Sequence, residues 1–283
     1  WITESFPMSV TGLGMAMLMV MFGVYSLSDA FKSFAGTAFF FVFGTYAINA
    51  CLTETTIPDR ICAFFIRAAK GNAKRFVLGM MLAAAALSSI MSNMATCALL
   101  ATLSVKFLKI NGAEKGKSKL AKCLMIGIPF ACGAGGFATP AGTPANVIAI
   151  NLLEDNFGIT IRFLDWMAIG IPIALFSVLV SGLAILLIFK PEPLKEETVA
   201  YAADLHKSLG KLSSLDIRTL IIIPIEIVLW LAGTWVTILN PTLVSLICML
   251  LMFMPGLKVL DWETYNKHAN YDCQFMMGAI TAL

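Results

Sequence analysis

Two short stretches of this chain carry residues whose types and spacing suit ion and anion binding. The first is Ser88-Ser-Ile-Met-Ser92-Asn93, in which hydroxyl and amide side chains gather inside an apolar run. Ser88 lies about one helical turn before Ser92. Sodium is a hard cation that takes oxygen ligands, and Ser88, Ser92 and Asn93 supply side-chain oxygens. The second stretch runs Cys132-Gly-Ala-Gly-Gly136-Phe-Ala-Thr-Pro-Ala-Gly-Thr-Pro144-Ala-Asn146 and holds four Gly and two Pro. Proline removes an amide donor and glycine weakens a helix, so this stretch breaks any helix that contains it. Freed carbonyls such as that of Gly142 can complete a cation shell. A helix restarted after a break points its positive N-terminal dipole at an anion. Neither stretch contains His, Asp or Glu, so a nucleophile–base pair or a metal cluster is absent from both. A membrane-embedded enzyme or sensor is therefore a remote alternative. A packed bundle with interhelical hydroxyl bonds, or a merely kinked packing helix, is the plainer explanation for each stretch alone.

The elements that must position these residues are apolar helices. The chain is 59% hydrophobic and 13% charged, with a mean hydropathy of +0.85. Soluble domains carry about 25% charged residues. An all-α polytopic membrane protein is the expected class, with lipid as its solvent. The net charge of +3 gives no reason to expect a nucleic-acid partner. The seven cysteines do not form a disulfide framework or a metal spacing, and Cys97, Cys123, Cys132 and Cys248 lie in apolar runs as small hydrophobes. His206 and His268 read as isolated, solvated loop residues.

The first span is expected over residues 8–26 and the second over 35–52. Between them lies a short polar turn. Residues 53–76 carry Arg60, Arg67, Lys70, Lys74 and Arg75. Ile61, Phe64, Phe65 and Ala68 recur there at helical spacing, which predicts an amphipathic helix at the membrane surface. Residues 77–90 and 95–110 form two legs of about 15 residues, roughly 22 Å each, against a hydrocarbon core of about 30 Å. Both flanks are basic, which places them on the cytoplasmic side. Two short full spans would also return to one side; the leg length favours a re-entrant hairpin with Ser92-Asn93 at its tip. Residues 120–153 cross outward around the Gly/Pro break, an irregularity that survives at membrane depth only inside protein or against a cavity. The acidic residues 154–165 fit the outer face. Residues 166–188 return, 190–218 form a mixed-charge cytoplasmic connector, and 219–235 and 243–254 make two further spans. Glu226 is the one carboxylate deep within a span and reads as a proton relay or as a paired structural glutamate beside Pro224.

Three motifs resemble the divalent anion:sodium symporter family, within the wider ion transporter superfamily. Trp1-Ile-Thr-Glu-Ser-Phe-Pro7 is similar to its WITEAIP-type opening. Ser88–Thr96 resembles its first Ser-Asn-Thr hairpin tip. Gly135–Asn146 resembles its unwound loop, and the order and spacing of all three agree. The resemblance implies an inverted-repeat transporter, with a re-entrant helical hairpin and an unwound transmembrane helix. It also implies a homodimer with a scaffold and a transport domain, moving as an elevator, in a multi-pass cell membrane location, a prokaryotic inner membrane being expected. It further implies sodium-coupled secondary transport of a di- or tricarboxylate or sulfate, with no organic cofactor. The alternative is a proton-coupled or exchanging anion transporter of the same superfamily.

By motif position, Ser88, Ser92, Asn93 and Gly142 match sodium ligands; Ser92, Asn93, Thr143 and Pro144 match substrate contacts. Two positions depart: Met94 stands where the family has Thr, which removes a hydroxyl from substrate recognition, and Ala145 replaces a second Pro. On this plan residues 1–76 are scaffold-type spans and the interfacial helix, and 77–153 the transport-type hairpin and broken helix. Residues 154–190 close the first repeat, 191–218 connect, and 219–283 begin a second repeat. Trp1 is not an initiator Met and Leu283 falls inside an apolar run, so both ends read as cut. The second hairpin, loop and cation site are expected beyond Leu283.

Overall fold

The computed structural model describes residues 6–236 and 238–281, and the side chain of His206 lies outside the described set. Most of the Trp1–Pro7 motif is likewise outside it. The described residues form fourteen α-helices: α1 (Met8–Met21), α2 (Leu27–Lys32), α3 (Thr37–Thr53), α4 (Ile57–Arg67), α5 (Ala73–Ser88), α6 (Asn93–Ile110), α7 (Lys119–Gly136), α8 (Pro144–Phe157), α9 (Phe163–Phe189), α10 (Glu196–Ser208), α11 (Ser214–Ala232), α12 (Pro241–Phe253), α13 (Trp262–His268) and α14 (Tyr271–Thr281). A short 3-10 turn, Ser33–Ala35, joins α2 to α3, and another, Pro140–Gly142, lies between α7 and α8. No strand occurs among the described residues.

Local chemistry sets several of the helix starts. Asn72 accepts from the amides of Lys74 and Arg75 at the start of α5. Ser118 accepts from the Ala121 amide at the start of α7. Asn240 caps α12, with Pro241 in its first turn. Each cap satisfies a backbone donor that the helix itself cannot. Among the described residues, three segments are long and apolar enough to cross a membrane: Leu27–Thr53, Asn93–Ile110 and Phe163–Phe189. At 18 residues, α6 extends about 27 Å, so leg length alone does not separate re-entry from two short spans.

The chain folds into two compact units. One comprises residues 1–51, 144–165 and 218–283; the other comprises 52–143 and 166–217. In the first, α1 packs on α14, where a side chain on Gly12 would meet Ala279. Trp230 is buried between the rings of Phe41 and Phe163, at 5.7 and 5.0 Å. Gly44 lets α3 approach Ser245 of α12 closely. His268 ends α13 rather than lying in a loop, and its carbonyl accepts from Asn49 Nδ2 at 3.3 Å.

In the second unit α5 packs on α7, and α6 on both. Residues 53–76 belong here, grouped with the hairpin rather than with the first spans. The face of α4 buried in the unit is Cys62, Ala63 and Ile66, not the Ile61–Phe64–Phe65–Ala68 stripe, from which Phe64 projects fully outward. The small residues face inward because α5 approaches so closely that a Cβ on Gly79 would lie 2.9 Å from the Phe65 carbonyl. The 190–218 connector is not a plain loop either. Its helix α10 packs on α4. Asn111 at the end of α6 accepts from the Lys195 amide and the Thr198 hydroxyl. The Arg60 guanidinium donates to the carbonyls of Leu209 and Gly210.

Candidate substrate and cation site

The candidate residues collect where α5 ends, α6 begins and α7 stops. α5 closes at Ser88 and α6 opens at Asn93, with Ser92 as its N-cap residue. Ser88 is fully buried. Its hydroxyl lies 2.5 Å from Asn93 Oδ1 and 2.8 Å from the carbonyl of Cys132 in α7. A serine has one hydroxyl hydrogen, so it donates to one of these oxygens at a time. The three oxygens hold more acceptor than donor capacity. A cation relieves that imbalance, and the set of hydroxyl, amide and backbone oxygens suits a hard monovalent ion.

Glycines bring α7 to this point. A Cβ on Gly135 would lie 2.3 Å from the Ala85 carbonyl, and one on Gly136 would lie 2.8 Å from Asn93 Oδ1. A Cβ on Gly142 would lie 2.6 Å from the Gly136 carbonyl. Gly142 thus stacks on Gly136, which stacks on Asn93. Beyond Gly136 the helix gives way to the 3-10 turn. Two side chains hold this break in place. The Thr139 hydroxyl donates to the Ser89 carbonyl at 2.5 Å. The Trp166 indole of α9 donates to the Phe137 carbonyl at 2.9 Å.

The first turn of α6 offers backbone donors. Its first intrahelical bond runs from the Thr96 amide to the Ser92 carbonyl, so the amides before Thr96 are the unpaired donors of a helix start. The Ser92 hydroxyl does not cap them. Ser92 and Asn93 are half-buried, whereas Met94 is 75% exposed beside them. Thr143 follows Gly142 in extended backbone and is half-buried. Ser88, Asn93 and Gly142 are therefore linked through Gly136 and Cys132, and Ser92 adjoins them. Pro144 opens α8 and belongs to the other unit. Cys132, Gly136 and Thr139, which join the tip to α7, were not among the expected site residues. The glycine pair was the one visible signal for them. Thr96 also buries a hydroxyl that has no partner among the described residues. No group of three or more His, Cys, Asp or Glu side chains that could hold a metal occurs among the described residues.

Residues 1–283 match the family model described as "Citrate transporter" (CitMHS). An "Uncharacterized transporter" of Haemophilus influenzae is 29% identical over 68% of this chain and 40% of its own length. The "Sodium-dependent high-affinity dicarboxylate transporter 3" of Caenorhabditis elegans is 26% identical over 70% of this chain and 38% of its own length. The "Sodium-dependent dicarboxylate transporter SdcS" of Staphylococcus saprophyticus is 24% identical over 93% of this chain and 55% of its own length. The chain thus spans about half the length, or less, of these curated relatives.

Proposed function

The chain belongs to the citrate transporter family, whose members are multi-pass membrane transporters rather than enzymes, and from that premise we propose that it forms part of a sodium-coupled carrier of a small divalent anion. The substrate class is a di- or tricarboxylate or sulfate. The observation that carries this reading is the acceptor-rich shell of Ser88 Oγ, Asn93 Oδ1 and the Cys132 carbonyl beside the open N-terminus of α6. Sodium sits against Ser88, Ser92, Asn93 and the Gly142 backbone. The anion lies against Ser92, Asn93 and Thr143, and its charge balances the cation without a protein carboxylate. The sodium-dependent dicarboxylate relatives support the same pairing.

In this reading α5 and α6 form a re-entrant hairpin, and residues 137–143 are the unwound middle of a crossing. The chain is one inverted repeat and the start of the next, in a homodimer that works by an elevator motion. The hairpin and broken helix belong to the transport domain. Full-length protein in proteoliposomes tests the proposal with labelled succinate, citrate and sulfate, with and without a sodium gradient. Sodium-driven uptake of one of them is expected. Uptake of all three without any gradient, or of none, would sink the idea.

One observation favours proton coupling as a second reading. Glu226 is buried and neither carboxylate oxygen has a hydrogen-bond partner among the described residues. Ser245 on α12 directs its hydroxyl to the Pro241 carbonyl instead. An uncompensated charge there would cost about 1–3 kcal/mol or more, so Glu226 carries a proton or meets a cation. Loss of pH-driven uptake in Glu226→Gln supports this reading, and unchanged uptake removes it.

A further inference from the structure

Two thiols face each other next to the candidate site. α6 and α7 are joined by residues 111–118 at one end, and at the other end Gly136 abuts Asn93. The two helices therefore run antiparallel. One turn along each from that contact stand Cys97 on α6 and Cys132 on α7. The register places them opposite one another, on the facing sides of two helices that pack together. Both are free cysteines; Cys132 is buried and Cys97 is half-buried. The other contact of this turn of α7 is the Cys132 carbonyl, which accepts from Ser88. The thiol pair thus sits on the same two helical turns that build the acceptor-rich shell.

We propose that Cys97 and Cys132 form a dithiol site that a low-molecular-weight disulfide converts to a Cys97–Cys132 disulfide, pinning the first turn of α6 to α7. Cys97, the more exposed thiol, reacts first. Its sulfur attacks the reagent disulfide and one reagent thiol leaves with the Cys97 proton. The Cys132 sulfur then attacks the Cys97 sulfur of the mixed disulfide, and the second reagent thiol leaves with the Cys132 proton. Two cysteine thiols are oxidised to one disulfide while the reagent disulfide is reduced to two thiols. The product is neutral and apolar, as a buried place requires. It fixes the two Cβ atoms about 3.8 Å apart. Asn93, one turn away, can then no longer move relative to α7, so the tip cannot open to admit or release an ion.

The test uses full-length protein and the membrane-permeant reagent 4,4′-dithiodipyridine. Peptide mapping without reductant is expected to recover a linked peptide pair containing Cys97 and Cys132, absent in Cys97→Ser and in Cys132→Ser. Separate mixed disulfides at the two cysteines, or no reaction at either, would overturn the proposal. The consequence for transport rests on the function proposed above. Sodium-driven uptake is expected to fall at least tenfold on oxidation, to return with dithiothreitol, and to be insensitive to the reagent in Cys97→Ser. A linked pair with unchanged uptake would overturn the pinning. If no form takes up a dianion with sodium, the function fails, while the peptide map still decides the dithiol site.

Discussion

The hydroxyl of Ser88, at the last turn of α5, lies 2.8 Å from the backbone carbonyl of Cys132, one turn before the end of α7. The same hydroxyl meets Asn93 Oδ1. Ser88→Ala leaves the two acceptors facing each other without a hydrogen. Removing one partner of a buried pair costs about 1–3 kcal/mol. If the shell binds sodium, apparent sodium affinity falls by about 5- to 150-fold, since 1.4 kcal/mol is tenfold. Uptake measured against sodium concentration checks this; an unchanged sodium dependence would remove Ser88 from the cation shell.

Gly135 and Gly136 are adjacent but predict different failures. Alanine at Gly135 drives a Cβ to 2.3 Å from the Ala85 carbonyl, a backbone atom that cannot step aside. Gly135→Ala is expected to destabilise the packing of α5 on α7 by about 1–3 kcal/mol or more. Alanine at Gly136 meets the Asn93 side chain at 2.8 Å, which can rotate away at the expense of the shell. Gly136→Ala is expected to keep near-normal thermal stability and to lose sodium-driven uptake. Thermal unfolding of the detergent-solubilised variants, set beside uptake, separates the two. Equal loss of stability in both would refute the distinction.

The break itself was legible in the sequence because its chemistry is local. Ser92-Asn93 starts α6 and Pro144 starts α8, as hydroxyl, amide and proline residues do at helix starts. What α7 offers to the tip was not legible. Cys132 contributes a carbonyl, which any residue has, and only the register of α7 against α5 shows that this carbonyl is the one Ser88 reaches. Periodicity found the Ile61, Phe64, Phe65 and Ala68 stripe of α4 but not the face that close backbone packing buries, Cys62, Ala63 and Ile66. Charge hid α10: Lys195, Glu196 and Glu197 looked like solvated loop, although Ala200, Ala202, Ala203 and Leu205 follow them at spacings a helix can use.

Asn111 is expected to tether α10. Its Oδ1 accepts from the Lys195 amide at 2.8 Å and from the Thr198 hydroxyl at 2.9 Å, and both Asn111 and Thr198 are buried. Asn111→Ala leaves a buried hydroxyl and an N-terminal amide of α10 without an acceptor. A loss of about 1–2 kcal/mol follows. Faster proteolysis within residues 191–213 of the variant, with α5–α7 still protected, is the expected pattern. Uniform protection would mean that Arg60 and the packing of α10 on α4 suffice without Asn111.

Glu192 makes a pH-sensitive contact between the connector and α7. Its carboxylate accepts from the amides of Lys119 and Leu120, both at 2.6 Å, and from the Ser118 hydroxyl at 3.3 Å. It thus occupies the positive N-terminus of α7. Burial pushes the carboxyl upward, but the bonds from Lys119, Leu120 and Ser118 outweigh it and hold the carboxyl below its ordinary value. The folded value lies below the unfolded one of about 4.3. The contact therefore contributes its full stability above about pH 4.3 and loses it as pH falls through the lower, folded value. Capping by a charged group contributes about 1 kcal/mol, or roughly fivefold in local opening. At neutral pH the amides of Lys119 and Leu120 should exchange hydrogen about fivefold faster in Glu192→Gln than in the unaltered protein. That difference should vanish once Glu192 is protonated. Hydrogen exchange compared between the two proteins at matched pH measures it. Equal exchange at neutral pH would show that Ser118 alone caps α7.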